Sequence, residues 1–562
     1  MINFVCKLVR EQKVRRQNPS ITLCPEKKNW KNTTNECFMA SNQMMNYHLM
    51  ILCLLMDILQ FLIFMITHQY QIKILHYFGF LCFVTFKPKS MLVNSIKFYI
   101  ICHHSVGRQA IIPGNPDLIE MNGVKDFPRS NPSIRSYTLE KYQMLRFEVT
   151  SPSGLTLVSG AAEVFGTELV CGWELQLYPG QRGTVVTFHG CKLIVQDQGV
   201  AAYIIASSED QEIVHVYVNI HANLEVSRQK AVKEQSRGPR VLVCGQESVG
   251  KSTLCRTLAS YAARRKHKPI IVDVNVGLNQ VCIPTTIAAI SVTKPYDLME
   301  GWSLEEDPLV FCFGHTDPAS NLNLFREQVN RLAELINIRS ENDMSIFTSG
   351  CIINMSGFRK DDSDGGSSKE KGIQAIRTTA AAFEVDTLLV IEDGFLASFL
   401  REDLPPEVTI VRLPKSSGAI TRSPDQWTRQ RDARVCAYLH GENPLRRLHP
   451  HQITLKSSEY SIYKVGSEAI PDALLPHGAQ EEETWRNPIQ VSVSRDLKNR
   501  LLAVSQASEP YQVPEAPVYG FIVVVNVSED KSAFTILSPS PHPPPNNLFL
   551  LTSICYVDPE SL

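Results

Sequence analysis

The chain has 562 residues, 44% of them hydrophobic and 20% charged, with a formal net charge of −1. That composition belongs to folded globular protein, and the length accommodates about three or four domains. Near-neutral charge excludes a generally basic nucleic-acid coat, so any contact with nucleic acid must be a local patch.

The first 110 residues stand apart. They are rich in Met, Ile, Leu, Phe, Cys and Asn and poor in acids. The run Leu49–Ile66 is long enough to cross a bilayer, but Asp57 near its centre would be costly there. It begins too deep in the chain for a signal peptide. Three readings stand: a membrane anchor, a loosely packed extension, and translated non-coding sequence attached by an erroneous gene model. The third is favoured, with a start near Met121 and no membrane attachment expected. Residues 1–136 are therefore set aside as an atypical extension.

From 137 the pattern becomes short alternating runs: LRFEV, GLTLVSG, TVVTFHG and CKLIVQ, with PGQRG as punctuation. These predict half-buried antiparallel strands, and hence a β domain over 137–225. LEVSRQKAVKEQSRGPR (224–240) is charged, helix-prone and closed by Gly-Pro, which predicts a connecting helix. Over 226–445, RVLVC, PIIVDVN, SIFTSGCIINM, TLLVIED and VTIVRLP are apolar runs separated by helical patterns. Strands buried on both faces of a parallel sheet read this way. Residues 321–338 predict an amphipathic helix, and DDSDGGSSKEKG (361–372) a solvated loop. Short strands return over 446–562, so the fold class is α/β, with a central parallel sheet between two β-rich domains.

The 15 cysteines contain no C-x-x-C pair and no zinc-type spacing. Cys244, Cys255, Cys282, Cys312 and Cys351 lie in apolar runs and read as buried thiols, which fits a cytosolic or nuclear protein.

One motif carries chemistry. Gly245-x-x-x-x-Gly250-Lys251-Ser252 follows an apolar strand and opens a helical run, which is the Walker A pattern in its proper context. The glycines let the backbone around Ser248 and Val249 turn its amides onto an anion. The helix from Thr253 adds its positive end. Lys251 neutralises β/γ-phosphate charge, and the Ser252 hydroxyl can ligate Mg²⁺ held by ATP.

The words around that loop are more specific. RGPRVLVCGQESVGKSTLCRTL, GAAEVFGTEL, VTFHGC, SGCIINMSGF, AFEVDTLLVIED, LPKSSGAITRS, IYKVGSEAIPD and YGFIVVVNV together resemble the Clp family of polyribonucleotide 5′-hydroxyl kinases, which is unrelated to the Clp proteases. The resemblance spans about Tyr137 to Val557. It implies a P-loop polynucleotide-kinase-like domain over 226–445 and transfer of the ATP γ-phosphate to an RNA 5′-hydroxyl. It also implies a nuclear place in the pre-mRNA 3′-end cleavage and polyadenylation machinery, with other cleavage-complex subunits and the tRNA-splicing endonuclease as partners. In fungal members the same fold binds ATP as a scaffold without kinase activity.

Carried over by position, the resemblance places Lys251, Ser252 and Thr253 in the P-loop, Thr316 in an RNA clasp, and Arg431 and Arg434 in a basic lid over the transferring phosphate. Phe358 takes the place of a base-stacking tryptophan, and Arg182 that of a nucleotide-contacting lysine. Each has a plain alternative: Thr316 capping a turn, Phe358 in the core, Arg431 and Arg434 on a solvated helix face.

Four departures weaken the implied activity. The expected catalytic aspartate is Asn275, and a neighbouring RNA-gripping glutamine is Leu278. The β-domain glutamate that reads adenine falls at Met144, and the P-loop aspartate is Ser248. Loss of a positioned base costs about 10²–10⁴ in rate. Asp273 shares the strand face of residue 275, but at about 6.6 Å along the strand it is too far for a simple exchange. The expectation is an ATP-bound subunit with weak or lost kinase activity; the alternative is an active RNA 5′-hydroxyl kinase.

Overall fold

The computed structural model describes residues 70–77, 80–88, 134–196, 199–205, 208–303, 308–357, 367–441, 448–465 and 487–557. Leu49–Ile66, Met121 and Phe358 lie outside the described residues. The chain divides into two units, Met1–Pro113 and Gly114–Leu562. In the first, Tyr70–Tyr77 pairs antiparallel with Phe80–Pro88. Among the described residues no helix is long and apolar enough to cross a membrane.

The second unit opens with a β-sandwich. A four-stranded sheet (134–139, 191–196, 153–160, 174–177) faces a five-stranded one (200–205, 144–149, 182–186, 163–164, 167–168). Alternation along 144–149 sends Leu145, Phe147 and Val149 into the sandwich core with Leu155, Val185 and Leu193. Arg146 and Glu148 take the opposite face. Phe147 pairs with Gly183 across the sheet, and a Cβ there would meet the phenyl ring at 2.4 Å, so only glycine admits the ring.

Helix α1 (Ser208–Glu234) leads to the central domain. It begins sixteen residues before the predicted connecting segment because 208–223 (SEDQEIVHVYVNIHAN) also folds as helix. Val216, Tyr217 and Ile220 on this stretch pack against the central core, a face that a reading based on charge overlooked.

The central sheet contains β1 (Arg240–Gly245), β2 (Ile270–Asp273), β3 (Thr286–Ser291), β4 (Leu309–Cys312), β5 (Cys351–Asn354), β6 (Thr387–Ile391) and β7 (Thr409–Leu413). Their order is β4-β3-β2-β5-β1-β6-β7. The five predicted apolar runs supply the five parallel strands β2, β5, β1, β6 and β7. The sheet is nonetheless mixed: β3 and β4 add antiparallel on one edge. The run SIFTSGCIINM also divides, its first half forming the short helix Met344–Ser349 and only Cys351–Asn354 the strand. Gly350, at φ 71°, makes the break.

Helix α2 (Lys251–Arg264) follows β1, and the predicted amphipathic helix is α3 (Leu322–Asn342). Residues 367–372 of the predicted solvated loop instead begin the helix Ser367–Ala382. Cys244, Cys255, Cys312 and Cys351 are buried free thiols, and Cys282 is half-buried.

A seven-stranded sheet completes the unit (order 451–456, 533–538, 518–527, 500–505, 548–555, 461–464, 489–491). Leu501, Phe521, Val523 and Leu550 join the same apolar core as the central sheet. Polar ties reinforce this packing: Gln328 Nε2 donates to Pro514 O at 3.0 Å, and the Phe521 amide donates to the Tyr438 hydroxyl at 3.1 Å.

Candidate functional site

A cleft of about 680 Å³ opens where the sandwich, the P-loop and the helix Pro424–His440 meet. Its floor is the β1–α2 junction. Gly245 has φ 139° and Gly250 φ 101°, values that L side chains rarely adopt. A Cβ at Gly245 would meet Ile391 O at 3.0 Å, so this glycine also admits the neighbouring strand. Ser248, Gly250, Lys251, Ser252 and Thr253 line the cleft. Gly245 and Val249 do not; Val249 is buried in the core beneath the loop and anchors it.

The Lys251 amine donates to Gln246 O at 2.6 Å and Gly245 O at 3.2 Å. Burial holds its pKa down to about 8. An anion entering the loop would raise it again. Ser248 adopts φ 60°, and its hydroxyl is buried without a protein partner. A tight turn hinged at Gly245, Ser248 and Gly250, a desolvated amine, an unpartnered hydroxyl and a helix N-terminus together fit a triphosphate. Lys251, Ser252 and Thr253 would hold ATP, with Ser252 Oγ placed for its Mg²⁺. Among the described residues no group of three or more His, Cys, Asp or Glu could hold a metal ion.

The sandwich supplies the facing wall. Arg182 lines the cleft and pairs with Glu148, its Nε donating at 2.9 Å. Met144 is buried and does not line the cleft. It shares the strand face of Arg146 and Glu148 but lies at the far end of the strand; Glu148 is the acid that reaches the site.

Two arginines escaped the sequence reading. Arg256 lies over Tyr296 and Phe165, at 4.6 and 5.4 Å from their ring centroids, and its buried Nε has no protein partner. Arg422 has its pKa lowered by burial and by repulsion from Arg182 and Arg256. A concentration of cations that raises its own energy suits a polyanion. Arg256 falls five residues beyond the P-loop lysine and Arg422 inside LPKSSGAITRS, so their positions were visible but their convergence was not.

The far end is built by the loop after β2. Asn275, Gly277 and Leu278 line the cleft together with Thr316. Asp317, not Thr316, caps the following turn, accepting from Ala319 N at 2.9 Å. Arg431 also lines the cleft, and its Nε donates to Gly277 O at 3.1 Å. Arg434 does not line it. It donates to Cys282 O and Gln280 O, each at 2.9 Å, and so clamps the 280–282 backbone behind the site.

Asp273 is buried and does not line the cleft. The strand ends at 273, so the alternation that placed 273 and 275 on one face does not apply. The carboxylate is fully buried and accepts from Asn275 N at 3.0 Å, Gln280 N at 2.7 Å and Asn354 Nδ2 at 3.0 Å. Burial raises its pKa to about 6 despite these donors. Asn354 in turn donates to Ser252 Oγ at 3.1 Å, so Asp273 orients the P-loop hydroxyl through an intermediary.

Family models match all three parts of this unit. The N-terminal beta-sandwich domain of polyadenylation factor matches 138–231, the mRNA cleavage and polyadenylation factor CLP1 P-loop matches 245–441, and the pre-mRNA cleavage complex II protein Clp1 matches 448–558. The chain is 39% identical over 428 residues to polyribonucleotide 5′-hydroxyl-kinase Clp1 of Gallus gallus, covering 76% of this chain and 97% of that protein. The Homo sapiens protein of the same name is 39% identical over 425 residues, 75% of this chain and 96% of that one. Among solved structures, a wild-type Clp1p–Pcf11p complex has a chain of the same fold, with TM-score 0.63, 20% identity, and coverage of 76% of this chain and 99% of that one. The sandwich, the P-loop domain and the C-terminal β-rich domain thus match the models of one family in one order, and the chain belongs to the Clp1 family.

Proposed function

We propose that this chain is a nuclear, ATP-binding subunit of the pre-mRNA 3′-end cleavage and polyadenylation machinery, and that it transfers phosphate to an RNA 5′-hydroxyl weakly or not at all. The observation that carries this reading is the amide of Asn275 in the cleft. An amide has no basic lone pair near neutral pH, so it cannot take the proton of an attacking hydroxyl. The nearest strand carboxylate, Asp273, is occupied by three donors. Leu278 lines the cleft with a side chain that cannot hydrogen-bond, where the family resemblance implies an RNA-gripping glutamine. The donor side is intact: cradle, Lys251, Ser252 and the arginines support tight ATP binding. ATP is then structural, joining sandwich to P-loop domain. Related proteins carry names and partners from cleavage and polyadenylation, which supports assembly with other cleavage-complex subunits.

A second reading is an active RNA 5′-hydroxyl kinase that also serves tRNA splicing. It is favoured by Arg431 in the cleft and by the Asp317 carboxylate lining it beside Thr316. Radiolabelled γ-phosphate transfer to a 5′-hydroxyl oligoribonucleotide separates the two. We expect the chain to stay near the background of a Lys251→Ala control, and Asn275→Asp to raise transfer about tenfold or more. Transfer far above the control, abolished by Asp317→Asn, would establish the second reading.

A further inference from the structure

We propose that Trp427 is a stacking platform for a nucleobase of the single-stranded nucleic acid whose end enters this cleft. The inference rests on the second reading above, in which an RNA 5′ end enters this cleft, and adds to it the residue that grips the strand. The cleft is lined by the aromatic residues Phe147, Phe165, Tyr203, Tyr217 and Trp427 among the described residues. The first three belong to the sandwich and Tyr217 to α1. Trp427 faces them from the helix Pro424–His440, and it is half-buried.

Its position is fixed by the start of that helix. Ser423 Oγ accepts from Gln426 N at 3.3 Å, Gln426 Oε1 accepts from Ser423 N at 3.0 Å, and Pro424 presets the first turn. Trp427 is the next residue. The Arg422 guanidinium lies 4.9 Å from the indole centroid, pairing the residue before the cap with the fourth helical position. One turn on, about 6 Å along the axis, Arg431 meets the Gly277 carbonyl in the loop that carries Asn275. The indole therefore carries Arg422 over its ring, and Arg431, which holds the Gly277 carbonyl of the acceptor loop, follows one helical turn on. An aromatic ring with arginines spaced along the same cleft matches a single strand, with the base on the ring and the backbone phosphates on the cations. A ring stack accepts any base, so the expected recognition is indifferent to sequence.

The test titrates a fluorescently labelled 5′-hydroxyl oligoribonucleotide of mixed sequence into the full chain with Mg·ATP present. It uses the native protein, Trp427→Phe and Trp427→Ala, and measures the Mg·ATP affinity of each by calorimetry. We expect Trp427→Ala to weaken the oligonucleotide about tenfold or more. Trp427→Phe should recover most of that loss, and Mg·ATP affinity should stay within about twofold in both. Native protein should also lose tryptophan fluorescence on binding, more than Trp427→Phe does. Equal oligonucleotide affinity in native and Trp427→Ala proteins would overturn the stacking role while leaving the nucleic-acid reading intact. A parallel loss of Mg·ATP affinity would show that the indole only holds Arg422, and would also overturn it. Failure of the native protein to bind the oligonucleotide would overturn both.

Discussion

Lys251 and Asp273 are both buried charges, and burial moves them in opposite directions. The Lys251 amine sits at about 8. Its folded-state pKa is below the ordinary lysine value, so between pH 8 and about 10.4 the unfolded chain binds more protons and this group's contribution to stability rises with pH. A bound triphosphate reverses the shift. Binding above pH 8 therefore takes up a proton, and Mg·ATP affinity should fall by up to about tenfold per pH unit there. Calorimetry in two buffers of different ionisation enthalpy would detect the proton; affinity flat from pH 7 to 10 would contradict the assignment. Asp273, raised to about 6, gives a contribution that is complete below about pH 4 and lost as pH rises through 6. Asp273→Asn should abolish that slope. It should also cost about 1–3 kcal/mol in denaturant unfolding, because the new NH₂ opposes a backbone N–H of Asn275 or Gln280.

At the scale of elements, the sandwich is held onto the central domain by a buried latch. Arg146 donates to Asp210 Oδ1 at 3.0 Å, to Ser416 Oγ at 3.0 Å and to Ser417 Oγ at 2.6 Å, while Ser417 Oγ donates to Asp210 Oδ2 at 2.5 Å. One ion pair thus joins the strand 144–149, helix α1 and the loop that lines the cleft beside Arg422. Removing one partner of a buried pair strands the other, which costs about 3–5 kcal/mol. Arg146→Met should lose that much in chemical denaturation. Asp210→Asn in the same background should recover part of it, giving a coupling of about 1–3 kcal/mol in the double-mutant cycle. Strict additivity would contradict the latch. None of this was legible in the sequence. LRFEV announced a half-buried strand, but alternation alone does not say that its polar face meets another domain.

For the molecule as a whole, what was legible followed from local rules. Parallel strands buried on both faces must be continuous apolar runs, and those runs named five of the seven central strands. The antiparallel edge pair escaped because Thr286–Ser291 and Leu309–Cys312 are short runs with no helix among the described residues between them. The P-loop was legible because its chemistry is contiguous: glycines, lysine and hydroxyl lie within eight residues. The remainder of the site is assembled from segments more than 70 residues apart, such as Arg182, Arg256 and Arg422, and only tertiary structure brings them together. Met144 shows the cost of reading a site by position: the acid that reaches the cleft is four residues further along, on the same strand face.

The account stands or falls on the donor side, so the most direct measurement is calorimetric titration of Mg·ATP into the purified chain, with Lys251→Ala as control. The account predicts one site per chain, lost in the variant, and stabilisation of the native chain by about 2.7 kcal/mol once nucleotide reaches a hundredfold excess over its dissociation constant. No heat and no stabilisation in the native protein would contradict it.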